Sequence, residues 1–105
     1  MTTIHRALAA CLLLTPIPAT AQEIGSAANG QTYARAHCAE CHAVEPGEDF
    51  SAEPLAPSFV AVARTPGMTH RALTVWLQSS HENMPNLMVP ESDRDDVIAY
   101  ILSLK

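Results

Sequence analysis

Two cysteines three residues apart, followed at once by a histidine, constrain the fold of this chain of 105 residues more than any other feature. Cys38, Cys41 and His42 lie in the stretch HCAECHAV at residues 37–44 and form the pattern C-x-x-C-H. Because two thiols and an imidazole lie so close together in sequence, whatever they bind has to lie against one segment of backbone. The rest of the chain must then fold around that segment.

Three kinds of site could explain this pattern. A structural zinc site needs four ligands, and the chain has no second C-x-x-C or H-x₃-H pair to complete it. A dithiol redox pair is expected at a helix N-terminus in a βαβ setting, whereas these cysteines end a predicted helix. Covalent haem attachment uses all three residues: Cys38 and Cys41 bind the two vinyl groups and His42 binds the iron. The pattern therefore favours haem c.

Residues 1–21 have the features of a secretory signal. A weakly positive start is followed by an apolar run at 7–14, two prolines and the sequence ATA, which ends at Ala21. The run is shorter than the roughly 20 residues needed to span a bilayer. We predict cleavage after Ala21, with no stable membrane insertion afterwards, and export to the periplasm. Cys11 is interpreted as part of the signal rather than as a lipid anchor.

The mature domain at 22–105 is small and acidic. Chains of this size bury little surface and often depend on a staple or a cofactor, and only five mature residues are aromatic. Of the six Lys and Arg residues, Arg6 falls in the signal, which leaves five against eleven Asp and Glu and a net charge of −6. This charge argues against nucleic acid as a ligand and favours a partner with a basic docking face.

The pattern of apolar residues and caps predicts an all-α domain without strands. Ser26 or Asn29 is expected near the start of the first helix, Thr69 caps the third, and Ser92 opens the last with a capping-box-like sequence. A proline-rich acidic loop separates the first two helices, and an irregular stretch precedes the last. The helices are predicted at about 26–38, 58–63, 69–80 and 93–104, the loop at 45–57 and the irregular stretch at 81–90.

A haem iron bound by His42 has a sixth coordination position, which a second side chain can fill. Met84 is the favoured ligand, because the proline after it restricts the backbone that presents its sulfur. Met88 is the second choice, and otherwise Met88 and Met68 are expected to pack in the core, as most methionines do. His81, His70 and an open site are the remaining alternatives.

These features together resemble the class I c-type cytochromes, in particular the small bacterial monohaem kind, over the whole mature chain. Gly30 and Tyr33 match the small residue and the aromatic of the first helix, and CAECH matches the haem motif. APSF, NMPNL and DDVIAYILSLK match the proline segment, the methionine loop and the last helix. The resemblance implies an all-α fold with three to five helices around one covalently bound haem.

The resemblance also implies roles for single residues. The carbonyl of Pro57 is expected to accept the Nδ1–H of His42, although Ala56 replaces the glycine that usually precedes this proline. Trp76 is expected either to pack near the haem or bond a propionate, or to be an ordinary core aromatic. Gly30 is expected to let the first helix cross closely over the last, where Tyr100 takes the aromatic position.

A haem with histidine and methionine ligands suits the transfer of single electrons, and the sequence supplies no acid–base pair for catalysis. We therefore expect a monomeric electron carrier, not an enzyme, that docks transiently with redox partners. It would pass electrons from a respiratory complex or dehydrogenase to an oxidase or reductase. The alternatives are a haem subunit of a dehydrogenase and an open-site haem protein that binds peroxide or small gases.

Overall fold

The computed structural model describes residues 24–79, 84 and 88–105 of the chain. These residues contain no strand, so the predicted all-α class is confirmed, and none of their helices is long and apolar enough to cross a membrane. The predicted signal at 1–21, with Cys11, lies outside the described residues. The helices are α1 (Ala27–His37), α2 (Phe59–Ala63), α3 (His70–Gln78) and α4 (Glu91–Leu102).

The first three helices begin where the sequence predicts, each behind a hydroxyl side chain. Ser26, Ser58 and Thr69 have extended backbone and accept a hydrogen bond from the backbone N–H three residues later, at 3.3, 3.1 and 3.2 Å. An N-cap of this kind satisfies one of the donors that a helix leaves unpaired. These three boundaries are therefore fixed by local chemistry.

The start of α4 differs from the prediction. The helix begins at Glu91, about two residues before the predicted start at Asp93, and Pro90 is its N-cap without a side-chain hydrogen bond. The fixed φ of proline suits this position (φ −53°), and the Pro90 carbonyl accepts the first helical bond from Arg94 N–H at 2.8 Å. Ser92 therefore lies inside the first turn and caps nothing.

The close crossing of α1 over α4 is confirmed. A Cβ placed on Gly30 would overlap the carbonyl of Asp96 and lie 2.8 Å from the amide nitrogen of Val97. Ala34, one turn further along α1, and Ile98 on α4 both have no exposed surface. A bare backbone at Gly30 is what allows the two helices to approach so closely.

The core lies along α4, which contacts α1, α2 and α3. It is built from buried apolar side chains of all four helices and of the segment after the cysteines: Ala34, Val44, Phe59, Ala63, Leu73, Val97, Ile98, Tyr100 and Ile101. The three helices meet α4 without closing the space between them, and this space forms a cavity among the described residues.

Candidate functional site

The cavity has a volume of about 660 Å³ and mostly apolar walls. Cofactor pockets usually measure about 300–1,000 Å³. Its walls come from the end of α1, the cysteine motif, the loop before α2, the helices α2, α3 and α4, and the segment before α4. Every site residue predicted from the sequence lines it: Cys38, Cys41, His42, Pro57, Trp76 and Met84.

The imidazole of His42 is held by one hydrogen bond. Its Nδ1 lies 2.7 Å from the carbonyl oxygen of Pro57. Because a carbonyl can only accept, Nδ1 carries the proton, and the lone pair of a neutral imidazole is left on Nε2. The bond thus selects the tautomer that can ligate a metal through Nε2.

The Phe59 ring packs against the His42 ring, and the Tyr100 ring packs against Phe59. The Phe59 ring centroid lies 5.6 Å from that of His42 and 6.4 Å from that of Tyr100, in both cases with tilted planes. Phe59 and Tyr100 are both buried. Such pairs pack favourably at these distances, so the half-buried imidazole rests on a buried aromatic ring.

The two thiols do not form a disulfide. Burial raises the pKa of the Cys38 thiol to about 11. A redox dithiol needs the opposite, a pKa lowered by positive surroundings, so the environment of Cys38 disfavours that interpretation. Among the residues that the structure describes, no group of three or more His, Cys, Asp or Glu side chains could hold a metal ion.

The structure separates the candidates for the sixth ligand by position. Met84 is half-buried and lines the cavity, whereas Met88 is 83% exposed and is not among the lining residues. Met68, expected in the core, packs against the core and also lines the cavity. His70 lies outside the lining, with its Nε2 3.5 Å from Asp95. His81 lies outside the described residues.

Part of the cavity wall is apolar and exposed. Trp76 on α3 is 54% exposed and Leu55 in the loop is 72% exposed, yet both line the cavity. Large exposed apolar side chains gathered at one place usually mark a binding surface. An open apolar cavity with two free thiols and an oriented imidazole at its wall fits a large, flat, covalently held cofactor.

A polar cluster behind the site was not found by sequence reasoning. Glu45 accepts hydrogen bonds from the Arg35 guanidinium and from Gln31 Nε2, the latter at 3.0 Å. The bond from Arg35 lowers the pKa of Glu45. The Tyr100 hydroxyl, whose pKa is raised by burial, donates to the carbonyl of Val44 at 2.6 Å. These bonds tie α1 and α4 to the segment after His42, and no local pattern in the sequence announces them.

Comparison with known proteins agrees with this geometry. The family model for cytochrome c matches residues 27–105. The chain is 31% identical over 96 residues to cytochrome c-552 of Bradyrhizobium diazoefficiens, an alignment that covers 90% of this chain and 91% of that protein. No solved structure gives a significant match.

The chain belongs to the cytochrome c family. Its cofactor is haem c with its iron, attached through Cys38 and Cys41. It is accordingly a haem electron-transfer protein.

Proposed function

We propose that the mature protein, residues 22–105, is a periplasmic carrier of single electrons and not an enzyme. In this proposal His42 and Met84 would both bind the haem iron. The observation that carries it is the shared cavity: both thiols, the oriented imidazole of His42 and the half-buried Met84 line the same space.

A haem with two fixed ligands changes oxidation state without exchanging a ligand, and a methionine ligand raises its potential. The residues of the chain supply the setting for that chemistry. The carbonyl of Pro57 orients His42 and increases its basicity, and the mostly apolar walls offer the haem a surface of low polarity. Glu53 is the only carboxylate among the described lining residues, which supports a carrier over an enzyme that needs an acid–base pair at the iron.

The charge of the chain supports the kind of partner proposed. With a net charge of −6, the mature domain is attracted to basic surfaces and repelled by acidic ones. We propose that a monomer docks transiently, through a small interface, with a respiratory complex or dehydrogenase as donor and with an oxidase or reductase as acceptor. In this proposal the signal is cleaved after Ala21, and the mature protein then stays in the periplasm with no stable membrane insertion.

The ligand assignment is tested by visible absorption spectra of the holoprotein, made in a host that attaches haem. A methionine bound to ferric iron gives a weak band towards the red end of the oxidised spectrum. We expect the band in the wild-type protein, its loss in Met84→Ala, and its retention in Met68→Ala and Met88→Ala. These two controls remove the same side chain, one from the cavity wall and one from the exposed surface.

Two results would contradict the proposal in different ways. Loss of the band in Met68→Ala alone would identify Met68, and not Met84, as the sixth ligand. Absence of the band in the wild-type protein, with rapid binding of CO to the reduced form, would mean an open site and favour a protein that binds peroxide or small gases. Co-purification in a fixed ratio with a dehydrogenase would replace the free carrier by a haem subunit.

A further inference from the structure

The backbone directly after His42 is fixed by a side chain from the following loop. Ala43 is buried, and its N–H donates to the Oγ of Ser51 at 2.9 Å. The carbonyl of Ala43 accepts from the N–H of Phe59, also at 2.9 Å. Buried backbone groups nearly always need such partners. Ser51 therefore accepts a hydrogen bond from the Ala43 N–H, which would otherwise be unpaired next to His42.

The same loop contacts the chain on the other side of His42 as well. The carbonyl of Cys41 accepts from the N–H of Glu53 at 3.0 Å, and four residues after Glu53 the Pro57 carbonyl accepts from the His42 ring. The loop at 45–57 contains no helix. Beside the bonds of Glu45 to α1, these bonds therefore help to set its position relative to the haem motif.

We propose that Ser51 is a positioning residue for His42, a role that rests on His42 being an axial ligand. The bonds of Glu53 and Phe59 join backbone to backbone, and substitution leaves them in place. The Ser51 bond depends on a hydroxyl. Without the hydroxyl, the Ala43 N–H must bond to a water molecule or change position. Either change shifts the backbone that carries His42, and it also shifts the loop that carries the Pro57 carbonyl.

The effect reaches the iron through the His42–Pro57 bond. A strong bond at Nδ1–H makes the imidazole a better electron donor at Nε2 and favours the ferric state. If loss of the Ser51 hydroxyl loosens this bond, the reduction potential rises. The Nδ1 proton, protected by the Pro57 carbonyl, also exchanges with solvent faster.

The experiment compares three holoprotein variants with the wild type: Ser51→Ala, Ser51→Thr and Ser26→Ala. Ser26→Ala is the matched control, because Ser26 also accepts a backbone N–H through its Oγ, but at the start of α1 and away from the cavity. NMR of the oxidised protein measures exchange of the paramagnetically shifted His42 Nδ1 proton, and a redox titration measures the potential.

We expect exchange in Ser51→Ala to be faster by about tenfold, the effect of losing one hydrogen bond to a buried group, together with an upward shift of the potential. Both values should return towards wild type in Ser51→Thr and stay unchanged in Ser26→Ala. Equal acceleration in Ser26→Ala and Ser51→Ala would overturn the role of Ser51, since it would report general destabilisation. Unchanged exchange and potential in Ser51→Ala would overturn it too. Absence of paramagnetically shifted carbon-bound ring protons of His42 in the wild type would instead refute ligation by His42.

Discussion

Replacing Gly30 by alanine tests the crossing of α1 over α4 directly. The added methyl group would overlap the Asp96 carbonyl and crowd the amide nitrogen of Val97. Both are backbone groups inside α4, so neither can rotate away as the end of a long side chain would. One helix has to move away from the other, and the buried contacts around Ala34 and Ile98 loosen with it.

The size of the effect follows from two opposing contributions. Alanine in place of glycine within a helix gains about 1 kcal/mol in propensity. Overpacking of a core costs about 1–3 kcal/mol, and the upper end applies where backbone has to shift. We therefore expect Gly30→Ala to lower the free energy of unfolding by about 2 kcal/mol, or the Tm by roughly 8–16 °C in a domain of this size.

The assay is unfolding of the holoprotein by heat and by guanidinium chloride, followed by far-ultraviolet circular dichroism. Ala36→Gly is the control, because Ala36 lies on the exposed side of α1 and its change should cost only the propensity of about 1 kcal/mol. An unchanged or increased stability of Gly30→Ala would refute the reasoning, since it would show that propensity alone decides the outcome and that the helices are not in backbone contact.

Three further predictions follow from the structure. Tyr100→Phe leaves the buried carbonyl of Val44 without its donor and should lower the free energy of unfolding by about 1–3 kcal/mol; unchanged stability would contradict the bond. Arg35 lowers the pKa of Glu45 in the folded state. Ionised Glu45 therefore stabilises the fold at pH values above its pKa in the unfolded chain, and this stabilisation is lost as the pH falls through the lowered pKa of the folded state. The free energy of unfolding should therefore fall less on acidification in Glu45→Gln than in the wild type. The difference made by Glu45→Gln should be smaller when Arg35 has been replaced as well. Mass spectrometry of the exported holoprotein should give residues 22–105 plus one haem, whereas a lipidated Cys11 would refute cleavage after Ala21.

The sequence could predict those features of the fold that depend on residues close together in the chain. Ser26 and Thr69 cap the helices they precede, because an N-cap depends on one side chain and a backbone N–H three residues away. The close crossing at Gly30 was expected through the resemblance to a family, and it agrees with the cost of a glycine inside a helix, which calls for a neighbour that excludes a side chain. The start of α4 was misplaced because Ser92 carries the local signal, while the backbone of Pro90 makes the actual boundary.

Contacts between residues far apart in the chain could not be predicted from the residues themselves. The bond between His42 and Pro57 was expected only through the resemblance to a family, since nothing in the two residues themselves pairs them. Ser51 gave no signal at all: a serine among prolines and acids is typical of any exposed loop. Its importance comes from the fold, which brings the loop back against Ala43.

The crossing of the helices and the site are linked through α4. Gly30 packs against Asp96, and Tyr100, one turn further along the same helix, donates to the carbonyl of Val44, two residues after His42. A displacement of α4 that accommodates a methyl group at position 30 would also displace this hydroxyl. Gly30→Ala should therefore speed exchange of the His42 Nδ1 proton as well as lower stability. The exposed control Ala36→Gly should lower stability without that effect, because it leaves the position of α4 unchanged.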